Sequence, residues 1–180
     1  MALTATLFHL TLQLADMDRE GYADLALHVA QQPSETAEFM LVRVLAYALE
    51  YEEGIAFTEG VAAVDQPAVW VRDLTGRVTA WIGVGAPDAE RVHRGSKLAG
   101  RAAVYTHRDP RTLLATYANS RIHRAAEVPV YSFDREFLAQ AAARLQRRSK
   151  LALTVTERQI YLDIDGHDLS TPIATAAAGG

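Results

Sequence analysis

Glu35 and Glu38 stand three residues apart in PSETAE, Arg43 follows, and Asp65 lies further along the chain. Carboxylates at i, i+3 of a helix project from one face. Oxygen donors so placed can share a divalent cation. The same two acids near a helix N-terminus also stabilise the macrodipole by about 0.3–1 kcal/mol each. Spacing alone therefore leaves metal ligand and helix-end charge both open. Arg43 sits in FMLVRVLAYAL, apolar nearly all round, so its charge needs a partner. A structural ion pair and an anion held at a site are its two readings, and Glu50, on the same face, is seven residues away.

A second group is basic. Arg94, Lys97 and Arg101 cluster on one side of a short helix, Arg91 precedes them, and Arg108, Arg111, Arg121 and Arg124 follow. With Tyr105 and Tyr117 interleaved, these residues suit either a phosphate backbone or a solvated surface. No aromatic ladder accompanies them, so sequence-specific reading is not expected. Residues 1–90 hold 4 Lys/Arg against 14 Asp/Glu, net −10, and residues 91–180 hold 14 against 8, net +6, within a total of −4. That asymmetry permits an electropositive face on an acidic chain.

Several chemistries are excluded. Zero cysteines removes disulfides, thiolate zinc sites and cysteine nucleophiles. His93, His107 and His123 form neither HxxxH nor HExxH, and GVGAP lacks the spacing and lysine of a phosphate loop. Ser34 has no nearby His–Asp pair and reads as a helix cap. Trp70 and Trp81 face each other across a hairpin and read as a packing pair. No apolar run reaches the length of a membrane span and the start lacks a signal peptide's features, so a cytoplasmic protein is expected.

The elements that must position these residues follow from periodicity. Residues 3–14 alternate as a strand, and 22–31 alternate again, which reads as a second strand and a hairpin, with a helix the alternative over 22–31. QPSETAEFMLVRVLAYALEYEEG is a helix that Gly54 stops. GIAFTEG is a short strand. PAVWVRDLTGRVTAWIGVG is a hairpin whose Gly76 takes the positive-φ position of a bulged turn. A helix over 88–100, a strand over 102–107 and a helix opened by Asp109–Pro110 come next. VPVYSF is a strand, and Asp134 caps DREFLAQAAARLQRR. LALTVT and QIYLDID pair around Glu157 and Arg158. ATAAAGG has nothing to bury and should fray.

PSETAE with Arg43, WIGVGAPDAERV, AAVYTH and the start MALTATLFHLTLQLADMDRE resemble the YaeQ family over nearly the whole chain. The resemblance implies one domain over 1–173, with a tail at 174–180. It also implies an α/β fold like the PD-(D/E)XK nuclease core: helix, three strands, helix and strand around a mixed sheet, extended by terminal hairpins. It further implies that a nuclease acid would stand at Ala68, a second at Gly83, the nuclease lysine at Gly85, and a helix lysine at Arg94. A methyl group and a bare backbone supply no side-chain oxygen to a metal, and arginine stays protonated and cannot serve as a base. The expectation is a non-catalytic binder of nucleic acid or a protein partner, with no cofactor. Its cleft would be formed from Ser34, Glu35, Glu38, Arg43 and Arg94, with phosphate contacts from Arg91, Lys97 and Arg101. The alternatives are a Mg²⁺- or Mn²⁺-dependent nuclease using Glu35, Glu38 and Asp65, with Lys97 as a migrated cation, and a protein-interaction module.

Overall fold

The computed structural model describes residues 4–59 and 65–179. Leu3, the expected start of the first strand, and Gly180, the end of the tail, lie outside these residues. Contacts divide the chain into two compact units: Met1–Leu41 with Phe133–Ile173, and Val42–Ser132 with Ala174–Gly180.

In the first unit the predicted hairpin forms as β1 (Thr6–Asp16) and β2 (Gly21–Gln31), in antiparallel register from Thr6↔Gln31 to Asp16↔Gly21. β8 (Arg148–Thr156) runs parallel to β1, then β9 (Gln159–Ile164) and β10 (His167–Pro172) follow antiparallel, giving the order β10-β9-β8-β1-β2. The expected terminal hairpins both form, and they make a five-stranded sheet of their own, because the free edge of β1 is taken by β8 from His9↔Arg148 to Asp16↔Val155. One face is buried through Leu10, Leu12, Leu153, Val155, Ile160 and Leu162. Alternation along β1 gives that face, since successive strand residues point to opposite sides. β10 was not foreseen: HDLSTP lacks an apolar alternation and is specified by its pairing with β9. α4 (Arg135–Arg144) begins at Asp134 as predicted, whose carboxylate accepts from Phe137 N–H at 3.0 Å.

The helix α1 (Ala37–Leu49) starts later than the sequence suggested. Thr36, not Ser34, caps it, its hydroxyl accepting from Phe39 N–H at 3.1 Å. It ends well before Gly54, which makes the turn into the next strand at φ +93°, where a Cβ would lie 2.0 Å from the Arg72 carbonyl oxygen.

The second unit contains β3 (Ile55–Phe57), β4 (Val69–Arg72), β5 (Val78–Val84), α2 (Ala89–Leu98), β6 (Arg101–Thr106), α3 (Pro110–Ala118) and β7 (Pro129–Ser132). The expected tail does not fray over Ala174–Ala177. It forms β11, antiparallel to β7, and Ala178 is buried beyond it. The sheet order is β11-β7-β6-β5-β4-β3, with β5, β6 and β7 parallel. A backbone edge on β7 is thus satisfied by a segment whose own side chains carry no signal. The helix, three strands, helix, strand order is present as α1-β3-β4-β5-α2-β6. Among the described residues the fold is mixed α/β, with two mixed sheets and four α-helices. No helix among the described residues is long and apolar enough to cross a membrane.

Candidate functional site

Asp73 closes the β4–β5 hairpin: its carboxylate accepts from Thr75 N–H at 2.9 Å, Thr75 Oγ1 at 2.6 Å and Arg77 N–H at 3.0 Å. The Thr75 hydroxyl, then the Arg77 amide, hold it below the usual carboxylate range. Gly76 takes φ +88° and the register shifts at Val71/Arg72, the bulged turn that DLTGR predicted. This turn sets the register Val69↔Ile82 and Trp70↔Trp81. Ala68 immediately precedes Val69, so the next rung lies at Gly83.

Gly83 has no room for a side chain. A Cβ there would lie 2.8 and 2.9 Å from the Trp81 ring and 3.1 Å from Pro87. Trp81 and Gly83 are two apart on β5 and so share a face. The indole also meets α2, where a Cβ on Gly95 would lie 2.4 Å from the ring. The indole is packed against both glycines. The predicted packing side of α2 holds, with Val92, Gly95 and Ala99 buried. Gly85, at φ +90°, donates its N–H to the Tyr105 carbonyl at 2.8 Å. From sequence, the Trp81 ring is legible only as a hairpin partner. The period-2 spacing of Trp81 and Gly83 is visible there, but the approach of the ring to Gly95 needs the fold.

Beside the indole lies a pocket of about 260 Å³ lined by Asp65, Trp81, Arg91, Arg94, Gly95 and Leu98. Arg94 is 3.8 Å from Asp65, both largely exposed, and such a pair contributes little. Arg91 caps a carbonyl, donating to Gln66 O at 2.9 Å. Lys97 is exposed on the last turn of α2.

Arg101 does not join this group. It donates to Glu50 at 2.6 Å and lies 3.9 Å from Glu52, while Tyr105 donates its hydroxyl to Glu50 at 2.8 Å. Burial acts to lower the Arg101 pKa, but the Glu50 carboxylate more than offsets it and the net shift is upward. The partner of Arg101 is 51 residues away in sequence, beyond any local signal. Arg43, 3% exposed, sits over the Phe57 ring at 5.9 Å. Neither tyrosine expected to meet a ligand is accessible. Tyr105 and Tyr117 are buried, and Tyr117 donates to the Pro87 carbonyl at 2.6 Å, with burial pushing its phenol up. The fold brings His93 and His123 together, but His93 Nδ1 accepts the His123 backbone N–H at 3.0 Å. Arg111 pairs with Asp109 at 2.5 Å and Arg124 lies 3.9 Å from Glu127.

Ser34, Glu35 and Glu38 lie in the first unit, and Arg43, Asp65, Ala68, Gly83 and Arg94 in the second. Glu35 Oε1 accepts the Gln32 N–H at 3.2 Å, and its carbonyl accepts from Gln31 at 3.0 Å, a turn built ahead of α1. Ser34 is exposed. Among the described residues no group of three or more His, Cys, Asp or Glu side chains could hold a metal ion.

The family model of the YaeQ protein matches residues 1–173. The chain belongs to the YaeQ family. It is 33% identical over 170 residues to the uncharacterised protein YaeQ of Escherichia coli (strain K12), covering 94% of each chain. It is 31% identical over 163 residues to that of Salmonella typhi, covering 90% of each. Two solved YaeQ structures share its fold. That from Xanthomonas axonopodis pv. citri superposes with a TM-score of 0.88 at 31% identity, over 96% of this chain and 98% of that one. That from Pseudomonas syringae gives 0.86 at 30%, over 95% of each.

Proposed function

We propose that this YaeQ-family chain binds the phosphate backbone of nucleic acid along α2 without cleaving it, on a scaffold of the PD-(D/E)XK type whose acidic positions have been lost. The observation that carries the reading is the Trp81 indole packed against both Gly83 and Gly95, at the rung where a nuclease of that type would present its carboxylates. An apolar ring against residues without side-chain oxygens offers no carboxylate to Mg²⁺, which needs near-octahedral hard ligands. What the rim offers instead is cationic. Arg94 and Lys97 are exposed, and the Arg94–Asp65 pair is long enough to be exchanged for a phosphate, which a guanidinium can grip with two hydrogen bonds. A pocket of about 260 Å³ takes a phosphoryl group rather than a whole nucleotide.

The test is fluorescence anisotropy of a labelled oligonucleotide across a salt series, with Mn²⁺ present and the product run on a gel. Binding should weaken steeply with salt. Arg94→Ala with Lys97→Ala should weaken it about tenfold and lower the salt slope by roughly 0.7–0.9 for each phosphate that is no longer neutralised. An intact oligonucleotide is expected. No binding at low salt overturns the reading. Cleavage in Mn²⁺ that Glu35→Ala abolishes would overturn it in favour of a metal-dependent nuclease.

A further inference from the structure

Among the described residues four strands form the edges of the two sheets, and three of them are blunted. β3 is three residues long, β11 is four, and β10 closes on Pro172. β2 is different. It runs eleven residues from Gly21 to Gln31, keeps one register against β1 throughout, and holds no proline, lysine or arginine. Short strands, prolines and lysines are devices that stop an edge from pairing with another chain, and β2 uses none of them.

Which backbone groups this edge presents follows from β1. His9 donates its N–H to the Arg147 carbonyl at 2.7 Å, on the β8 side. His9 and His28 are therefore the close, non-hydrogen-bonded kind of cross-strand pair, and their rings meet edge-on at 4.7 Å. The N–H and C=O of His28 point away from β1, and with a period of two so do those of Tyr22, Asp24 and Ala26. The side chains of these four residues are exposed on the outer face of the sheet. Leu25 and Leu27 project to the opposite, inner face, where Leu27 is buried and Leu25 is only partly so. The run Asp24-Leu25-Ala26-Leu27-His28 is thus symmetric about Ala26, except that an acid stands at one end and an imidazole at the other.

We propose that β2 of a second copy of this chain adds to this edge, antiparallel and centred on Ala26, about a two-fold axis perpendicular to the sheet. In that register Ala26 opposes Ala26, Leu25 opposes Leu27 and Asp24 opposes His28, each unlike pair occurring twice, as an isologous interface requires. The outward-facing residues then meet each other, so Asp24–His28 and Ala26–Ala26 are pairs that exchange both backbone hydrogen bonds. An imidazole N–H donates to a carboxylate whether the ring is neutral or charged, and directly opposed side chains of unlike charge favour the register. Centring on Asp24 would set aspartate on aspartate, and centring on His28 would set histidine on histidine. The complementarity continues inward: His28 shares its rung with His9 and Arg148, and Asp24 shares its rung with Gln13. On the inner face Leu27 of one copy covers the partly buried Leu25 of the other, so the two apolar faces join. An edge that complements its own sequence in one register selects a second copy over an unrelated strand.

Because the chain has no cysteine, the register can be read by cross-linking. The two Ala26 Cα atoms would lie about 5.5 Å apart, inside the roughly 4.4–6.8 Å that a disulfide spans. The two Tyr22 Cα atoms would lie about 27 Å apart, eight residues along a strand. Under mild oxidation Ala26→Cys should give a covalent dimer and Tyr22→Cys should not. Sedimentation of the full chain should pass from monomer to dimer as concentration rises to about 0.5 mM, since one strand edge buries less than the roughly 800 Å² per partner of a standard interface. Ala26→Pro removes an outward N–H without costing a β1–β2 hydrogen bond, and should be monomeric with an unchanged far-UV circular dichroism spectrum. Asp24→His and His28→Asp should each weaken association about tenfold, and the two together should restore it, since the pair is only exchanged. That exchange keeps the test decisive whatever Ala26→Pro does to the fold. A wild-type monomer at every concentration overturns the proposal. So does equal cross-linking of the two cysteine variants, or a dimer that persists in a folded Ala26→Pro, which would place the interface elsewhere. The oligonucleotide assay reads residues of α2 and stands or falls separately.

Discussion

Two regions place polar side chains beside very small residues, and the contrast between them separates what is built for packing from what is left for a partner. Around β5 and α2 the small residues are Gly83 and Gly95, and their missing side chains are replaced by the Trp81 indole. The nearby charges are largely used within the same unit, Arg101 on Glu50 and Arg91 on the Gln66 carbonyl. On the outer face of the five-stranded sheet the small residues are Thr11, Ala26 and Ala152. They adjoin hollows instead of rings. Small residues in the first region are thus a steric requirement, and in the second they are accessible space.

The contrast breaks first at Gly95. Gly95→Ala drives a methyl into the indole and should cost about 2–3 kcal/mol in urea unfolding. The cost should shrink markedly in a Trp81→Leu background, where the ring is gone, and an undiminished cost there would show that the ring is not the obstacle. Glu50→Ala comes next. It leaves the Arg101 and Tyr105 donors without their acceptor and should cost about 2 kcal/mol, with Tyr105→Phe costing only about 1 kcal/mol by the same measurement. Equal costs would mean that the Arg101 ion pair adds nothing.

Smaller still is Asp73→Ala, which loosens the hairpin turn and should lower Tm at neutral pH. Asp73 has its folded pKa depressed, so its charge contribution is complete above the unfolded value of 3.8 and is lost as pH falls through the lower folded value. The wild-type and variant melting curves should draw together below that pH, and a gap that widens there would refute the assignment. Least of all, Ala26→Ser on the open face should stay within about 0.5 kcal/mol of wild type.

Local rules located most of the elements. The alternation in β1 and β2, the Asp134 cap, the Asp109–Pro110 start of α3 and the DLTGR turn each depend on residues within a few positions, and each formed where expected. α1 was placed correctly but its cap moved from Ser34 to Thr36, because a hydroxyl two residues later reaches the third helical amide. β10 and β11 were not legible, since HDLSTP and ATAA carry no apolar alternation. A neighbouring strand with unpaired backbone groups specifies them.

The candidate site divides the same way. Residue types alone fixed that Ala68, Gly83 and Gly85 bring no carboxylate or amine, and that no thiol chemistry is available, because a side chain's functional groups are independent of the fold. Only the tertiary structure decided which ring packs against Gly83, which carboxylate claims Arg101 from 51 residues away, and which charges of β2, β8, β9 and β10 share an open face. Each of these is a distance between segments remote in sequence, and such distances are set by sheet order and register rather than by any property of a local stretch.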